Sequence, residues 1–206
     1  MLETITPKNI SLKKSEKKFN LQRATEPDFF QECRENLPEI SELQKQLLDK
    51  VKAGYLSLLS YQKLPENSLK KTVVAPLLFI GGFSHSPFHL EAEKSIEVVA
   101  ENDGKIFRGN IDTVVWQNKI WIMAIESKEA NFSLGAALPQ ILASMLSNKH
   151  LEQPAFGAIA TGETFTFIKL VKGKNPKYAT SGEFSLRNPG NDLYQVLSIL
   201  KNLSQG

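Results

Sequence analysis

The sequence predicts a single α/β domain in which a central mixed β-sheet is flanked by helices, with an N-terminal helical extension. Three observations lead there. Apolar residues at Ile40, Leu43, Leu47, Leu48, Val51 and Tyr55, and again at Leu69, Val73, Leu77 and Ile80, recur at three- and four-residue steps, the spacing of one helix face. Two pairs of runs rich in β-branched and aromatic residues, Ile111 to Trp116 with Ile120 to Ile125 and Ala155 to Ala160 with Thr164 to Val171, are separated by short polar turns, as hairpins require. Between the two pairs, Asn131 to Asn148 contains no charged residue and carries a helical stripe of Leu134, Ala137, Leu138, Ile141, Leu142 and Met145. A second stripe of Ser133, Ala136, Gln140, Ser144 and Ser147 runs beside it, so this helix is expected to be covered on more than one side.

Composition is consistent with such a domain. The chain has 206 residues, 41% of them hydrophobic and 23% charged, enough for one full core. Cys33 is the only cysteine, which rules out an intramolecular disulfide, and three histidines give no cluster at zinc spacing. Polar sequence follows Met1 directly and no apolar run reaches membrane-spanning length, so the expectation is a cytoplasmic protein with no membrane partner. A net charge of +3 is compatible with nucleic acid without selecting it.

In chain order, residues 1 to 20 carry Lys8, Lys13, Lys14, Lys17 and Lys18 with little apolar periodicity and read as a mobile basic arm or an edge strand. The helix around Leu43 to Tyr55 reads as scaffold. The next helix follows the break at Leu64-Pro65, ends at Gly81-Gly82, and should be kinked by Pro76, which removes a backbone donor. Phe88 to Val99 is a mixed segment leading to the strands. Lys169, Lys172, Lys174 and Lys177 are assigned to the loop beyond the second hairpin, and Leu193, Val196, Leu197 and Leu200 to a short amphipathic C-terminal helix. Residues 1–64 thus form a basic arm and helical extension, 65–171 a core, and 172–206 a C-terminal hairpin and helix, all within one domain.

The chemistry concentrates on the first hairpin. Asp112 sits in one apolar run, and Glu126-Ser127-Lys128 follows 14 positions later at the end of the other. A three-residue turn at Gln117-Asn118-Lys119 would place Trp116 opposite Ile120 and Asp112 opposite Ala124, with Glu126 diagonal to Asp112 and Lys128 one pleat further on the same face. A two-residue turn would split the groups between faces, so the grouping requires an odd turn or a compensating bulge. Grouped, two carboxylates can bind Mg²⁺ and a lysine can stabilise developing negative charge, which makes this a candidate nuclease site. The bland alternative is a surface ion pair on an edge strand. The tripeptide alone is cheap, since Glu16-Lys17-Lys18 repeats it in the charged arm with no preceding strand.

The succession Glu66, Val74-Ala75-Pro76-Leu77-Leu78, Gly109-Asn110-Ile111-Asp112, Ile125-Glu126-Ser127-Lys128 and Ala137-Leu138-Pro139-Gln140, then a hairpin containing Gly162, resembles the PD-(D/E)XK nuclease superfamily. In style it is similar to the N-terminal nuclease domain of type I restriction enzyme motor subunits, over about Glu66 to Val171. The resemblance implies a restriction-endonuclease-like core. It also implies that Asp112 and Glu126 are metal ligands, that Lys128 positions or activates the attacking water, that Gln140 assists from the following helix, and that Glu66 is the acid of the first core helix. Two positions depart from the pattern: Ile111 stands where a proline often precedes the aspartate, and Ser144 where a tyrosine often follows the glutamine.

The expected cofactor is therefore Mg²⁺, with Mn²⁺ as a substitute, held by Asp112, Glu126 and the backbone carbonyl of Ser127, and the expected partner is DNA. Lys169, Lys172, Lys174, Lys177 and Arg108 are candidates to meet phosphates, the alternative being a solvated hairpin. Gln140 has the alternative of bridging buried backbone groups, and Glu66 that of an ordinary acid at a helix N-terminus. Glu91 and Glu93 are rival acids near the first strand. Beside the metal-dependent deoxyribonuclease stand two other readings: a non-catalytic nucleic-acid-binding or assembly module that keeps the fold, and a regulatory domain that forms a homodimer through the helix at Leu43 to Tyr55.

Overall fold

The computed structural model describes residues 4–5, 11–61, 66–99, 106–117, 120–128, 134–147, 153–161 and 163–205, with side chains at 4–5, 66–67, 96–99, 106–109, 120–124 and 126–128 outside that description. Its elements are β1 (Thr4–Ile5), α1 (Leu12–Lys18), β2 (Gln22–Arg23), α2 (Glu42–Tyr61), α3 (Glu66–Leu69), a π-helical turn (Lys70–Val74), α4 (Ala75–Ile80), β3 (Phe88–Val99), β4 (Ile106–Gln117), β5 (Ile120–Lys128), α5 (Leu134–Ser147), β6 (Ala155–Thr161), β7 (Thr164–Val171), β8 (Lys177–Ser185) and α6 (Leu193–Leu203). The chain is a mixed α/β protein built on a mixed sheet. The strands run β1-β4-β5-β6-β7-β8-β2, with β3 also on β4. β5 and β6 are parallel, which demands a crossover, and α5 supplies it.

Each face of the sheet has its own helical layer. Val115, Ile125, Ala158, Phe165 and Phe167 pack against Leu48, Leu69, Val73, Leu77 and Leu197 from α2, the α3–α4 run and α6. On the other face Ile159, Ile168 and Leu170 meet Ala137, Leu138, Ile141, Leu142 and Met145 of α5. Leu48, Val73, Ile141 and Leu197 are wholly buried, and each such side chain contributes about 1.5–3 kcal/mol relative to exposure. α5 is buried continuously from Ala137 to Met145, in keeping with its charge-free sequence. Among the described residues no helix is long and apolar enough to cross a membrane.

Several local expectations are corrected. Within residues 1 to 20 the edge-strand alternative is met in part, by a short strand at Thr4–Ile5 parallel to β4 at one end of the strand order, while the helix at Leu12–Lys18 was not expected. The helix forms because Leu12, Ser15 and Phe19 share a face that packs on the α5 layer, although lysines fill the rest of it. Phe88–Val99 is a full strand, paired with β4 from Phe88↔Gln117 to Val99↔Ile106. Lys169 lies inside β7 and Lys177 begins β8, so neither is in the loop between them. On α2 only part of the predicted stripe is covered: Leu48 and Tyr55 are buried, whereas Leu43 and Leu47 are exposed.

At Pro76 the helical run changes form: the turn before it widens. Ala75 donates its N–H to the carbonyl of Lys70, five residues back, and Lys70–Val74 is π-helical. Pro76 has no N–H for the carbonyl of Thr72, and its ring would crowd that carbonyl in a regular α-helix, so a wider turn relieves both problems. Leu69 and Val73, both buried, anchor the wide turn on the sheet.

Candidate active site

The first hairpin decides whether the acids meet. β4 and β5 pair as Gln117↔Ile120 and Trp116↔Trp121, then shift, and continue as Val115↔Met123, Val114↔Ala124 and Thr113↔Ile125. The turn is therefore two residues long, and Ile122 is the unmatched residue of a β-bulge. This corrects the expected register: Ala124 faces Val114, and the expected three-residue turn is absent. The bulge restores the parity that a two-residue turn would have lost. The β4–β5 pairing ends at Thr113↔Ile125; continued by one step, the same register would set Glu126 opposite Asp112, directly and not diagonally, with Lys128 two residues further on. The side chains of Glu126, Ser127 and Lys128 lie outside the described residues; their backbone continues along β6 as Glu126↔Ile159, Ser127↔Ala160 and Lys128↔Thr161.

Asp112 is held from the layer of helices that covers Val115 and Ile125. Lys70 Nζ lies 2.6 Å from Asp112 Oδ1, with the two side chains only 25% and 14% exposed. Sequence reasoning missed Lys70. The available signal was its position one turn after Glu66 on the same helical run, which puts a cation beside the predicted acid. α3 lies against β5, so Glu66 belongs to the same neighbourhood, its side chain being outside the described residues.

From the opposite layer α5 sends Gln140, which is 4% exposed. Its Nε2 donates to the carbonyl of Asn110 at 3.3 Å, and Ser144 Oγ donates to the carbonyl of Gln140 at 2.9 Å. β4 is bordered by β1 at Ile106 and Phe107, and by β5 from Thr113 onward. Asn110 falls in the interval between these partners, where Gln140 supplies a donor that a neighbouring strand would otherwise provide. The bridging role weighed for Gln140 is present, and it acts two residues before Asp112.

The rival acids have other positions. Glu91 accepts from Lys94 Nζ at 2.8 Å and from Trp116 Nε1 at 2.9 Å. Lys94 also stands 4.7 Å from the centre of the Trp116 ring, so this trio is a closed unit on β3 and β4. Glu93 lies level with Asp112, between Ala92↔Thr113 and Lys94↔Ile111, with φ at 53°.

The phosphate candidates do not form one surface. Lys169 pairs with Glu32 and lies over the Phe29 ring, and Lys177 pairs with Glu26. The Lys177 ammonium holds the Glu26 carboxyl down at about 2. Lys172 is half-buried, and desolvation brings its ammonium down to about 8, while Lys174 is exposed. The register also separates them from the acids. Glu126 is level with Ile159, and Ile159 with Thr166, so the β7–β8 loop begins at Lys172, six residues away and about 20 Å along the strand. Arg108 lies at the acid end on β4, opposite Glu97, its side chain outside the described residues.

Among the described residues no group of three or more His, Cys, Asp or Glu is placed to hold a metal ion. The donors around Asp112 still suit a hard divalent cation. Asp112 and Glu126 are the residues next after the last β4–β5 pair, Thr113↔Ile125, carboxylates offer oxygen only, and Asp112 already draws a cationic partner into a largely covered position. Neither a family model nor a curated protein matches this chain, which leaves the chemistry of Asp112 and its neighbours as the guide to function.

Proposed function

We propose that the chain is a divalent-metal-dependent nuclease with a restriction-endonuclease-like core, hydrolysing DNA phosphodiester bonds at Asp112, Glu126 and Lys128. The observation that supports this reading is the bulged hairpin, whose β4–β5 pairing ends at Thr113↔Ile125 with Asp112 and Glu126 the next residue on each strand. Asp112 and Glu126 would hold Mg²⁺ or Mn²⁺, with the Ser127 carbonyl as a further oxygen donor. When bound, such an ion supplies Lewis acidity to the scissile phosphate and lowers the pKa of an attacking water. Lys128 orients that water by hydrogen bonding and offsets the negative charge that grows on the phosphoryl oxygens. Gln140 is a positioning residue: through the Asn110 carbonyl it fixes the stretch of β4 that leads into Asp112. Glu66 supplies a further carboxylate from α3 beside β5.

The supporting chemistry is simple. Two carboxylates on facing strand positions repel each other unless a cation lies between or beside them. Lys70 meets part of that need at Asp112, and this favours a second reading, in which the chain is a nucleic-acid-binding or assembly module that keeps the fold and neutralises the acid without metal. The two readings separate in one experiment. Purified protein is incubated with single- and double-stranded DNA and Mg²⁺ or Mn²⁺, beside Asp112→Ala and Lys128→Ala. Cleavage that needs the metal and is lost in both variants supports the nuclease; DNA binding with no cleavage in any form supports the module.

A further inference from the structure

We propose that Lys70 is an internal competitor for the cation site, so that a divalent ion reaches Asp112 by displacing the Lys70 ammonium. The inference rests on the metal-site reading of Asp112 given above. It begins with an ion pair at that carboxylate, Lys70 Nζ to Asp112 Oδ1 at 2.6 Å. Neither partner is a free surface charge, since their side chains are 25% and 14% exposed. At this distance the ammonium is in direct contact with an oxygen that a metal ion would need. Two cations cannot share that contact without strong repulsion, because screening by water is reduced where both groups are largely covered.

The backbone of Lys70 is fixed while its tip is not. Leu69 is 3% exposed and Val73 wholly buried, and the Ala75 N–H closes the wide turn on the Lys70 carbonyl. The π turn therefore sets where the Lys70 stem starts. The stem itself is a flexible four-carbon chain ending in a point charge, so the ammonium can leave Asp112 with no change in the helix. In the absence of a divalent ion Lys70 offsets the repulsion expected between Asp112 and Glu126. Once displaced, its ammonium is available to an anionic oxygen, and a phosphate arriving at the site offers one. Metal and phosphodiester should then strengthen each other's binding, each favouring the arrangement in which Lys70 has left Asp112.

The test is calorimetric titration of Mg²⁺ and Mn²⁺ into the full chain, its Lys70→Met and Lys70→Gln variants, and Asp112→Asn, with thermal melts to establish that each is folded. Lys70→Met and Lys70→Gln are expected to bind the ion about tenfold more tightly, within the usual range for a coupled pair of sites. Asp112→Asn is expected to lose binding. Equal or weaker binding in both Lys70 variants, with Asp112→Asn still defective, overturns the competitor role and leaves the metal site standing. Binding that is unchanged in Asp112→Asn overturns the metal-site reading itself. A second measurement needs no variant: acetylation of Lys70 by an N-hydroxysuccinimide ester, followed by mass spectrometry, should rise with Mg²⁺ while that of the exposed Lys50 stays constant. No rise at Lys70 in an ion-bound sample counts against displacement.

Discussion

Gln140 donates its side-chain amide to the carbonyl of Asn110 at 3.3 Å, tying α5 to β4 two residues ahead of Asp112. Lys70 reaches Asp112 itself from the other helical layer. The segment Asn110-Ile111-Asp112 is thus braced from both sides of the sheet, with Ile111 wholly buried between the two contacts.

Truncating Gln140 should loosen that brace. Gln140→Ala leaves the Asn110 carbonyl short of a buried donor, which costs about 1–2 kcal/mol of stability. Under the nuclease reading it also lowers cleavage more than it lowers DNA binding, because the residue positions Asp112 and does not touch substrate. Urea denaturation and single-turnover cleavage measure the two effects.

Asp112 and Lys70 should be energetically coupled. In a double-mutant cycle with Asp112→Asn and Lys70→Met, each single change leaves a partly covered charge without its partner, and the double change removes both. A coupling of about 1–3 kcal/mol is expected from chemical denaturation. The same cycle in a Pro76→Ala background should give a smaller value, because a restored N–H lets the wide turn close and rotates Lys70 away from the sheet.

Two glycines predict opposite outcomes. A Cβ at Gly157 would stand 2.9 Å from Met145 Sδ and 3.0 Å from Ile141 Cδ1, where α5 crosses β6. Gly157→Ala should therefore destabilise by about 1–3 kcal/mol. At Gly54, inside α2, nothing lies within 4 Å of the added atom, and Gly54→Ala should stabilise by about 0.5–1 kcal/mol. Thermal melts of the two variants should move in opposite directions.

Lys172 should shape the alkaline limb of stability. Burial lowers its pKa from the usual 10.5 to about 8, so across that interval the unfolded chain keeps a proton that the folded chain has shed. Stability must then rise with pH between about 8 and 10.5; as pH falls it is lost over that same interval, the loss being complete below about 8. The phenols of Tyr55 and Tyr194 act the other way above pH 10, since both are raised to about 12 in the fold, Tyr55 by burial and Tyr194 by its hydrogen bond to Asp49. Lys172→Met should flatten the rise between pH 8 and 10 and stabilise the protein at pH 7, as read from urea midpoints across that range.

Much of the fold was legible because it is written in periodicity. The stripe from Leu134 to Met145 and the β-branched runs beside Asp112 declare themselves through burial, which needs no knowledge of partners. What was not legible depends on contacts between distant segments. α1 is a helix because Leu12, Ser15 and Phe19 find α5, and no local feature of its lysine-rich sequence announces that surface. Phe88–Val99 read as mixed because, on an edge, Ala92, Glu93 and Ser95 are exposed alongside the apolar residues. The site shows the same division. The need for Asp112 and Glu126 to share a face could be reasoned from strand parity, but the bulge at Ile122 that meets it could not. Lys70 stayed hidden because its direction is set by a π turn, which the periodicity of Leu69, Val73 and Leu77 does not announce.

The bulge at Ile122 ties turn length to strand regularity. Thirteen residues separate Asp112 from Glu126, and at that count a two-residue turn keeps the two acids in step only if one residue of β5 is left unmatched, whereas a three-residue turn needs no bulge. Ile122 is the unmatched residue, so its deletion should regularise the hairpin and leave the pairs on either side of it as they are. Related chains that keep the acids can therefore exchange a bulge for a longer turn, which makes the residue count between Asp112 and Glu126 as informative as residue identity.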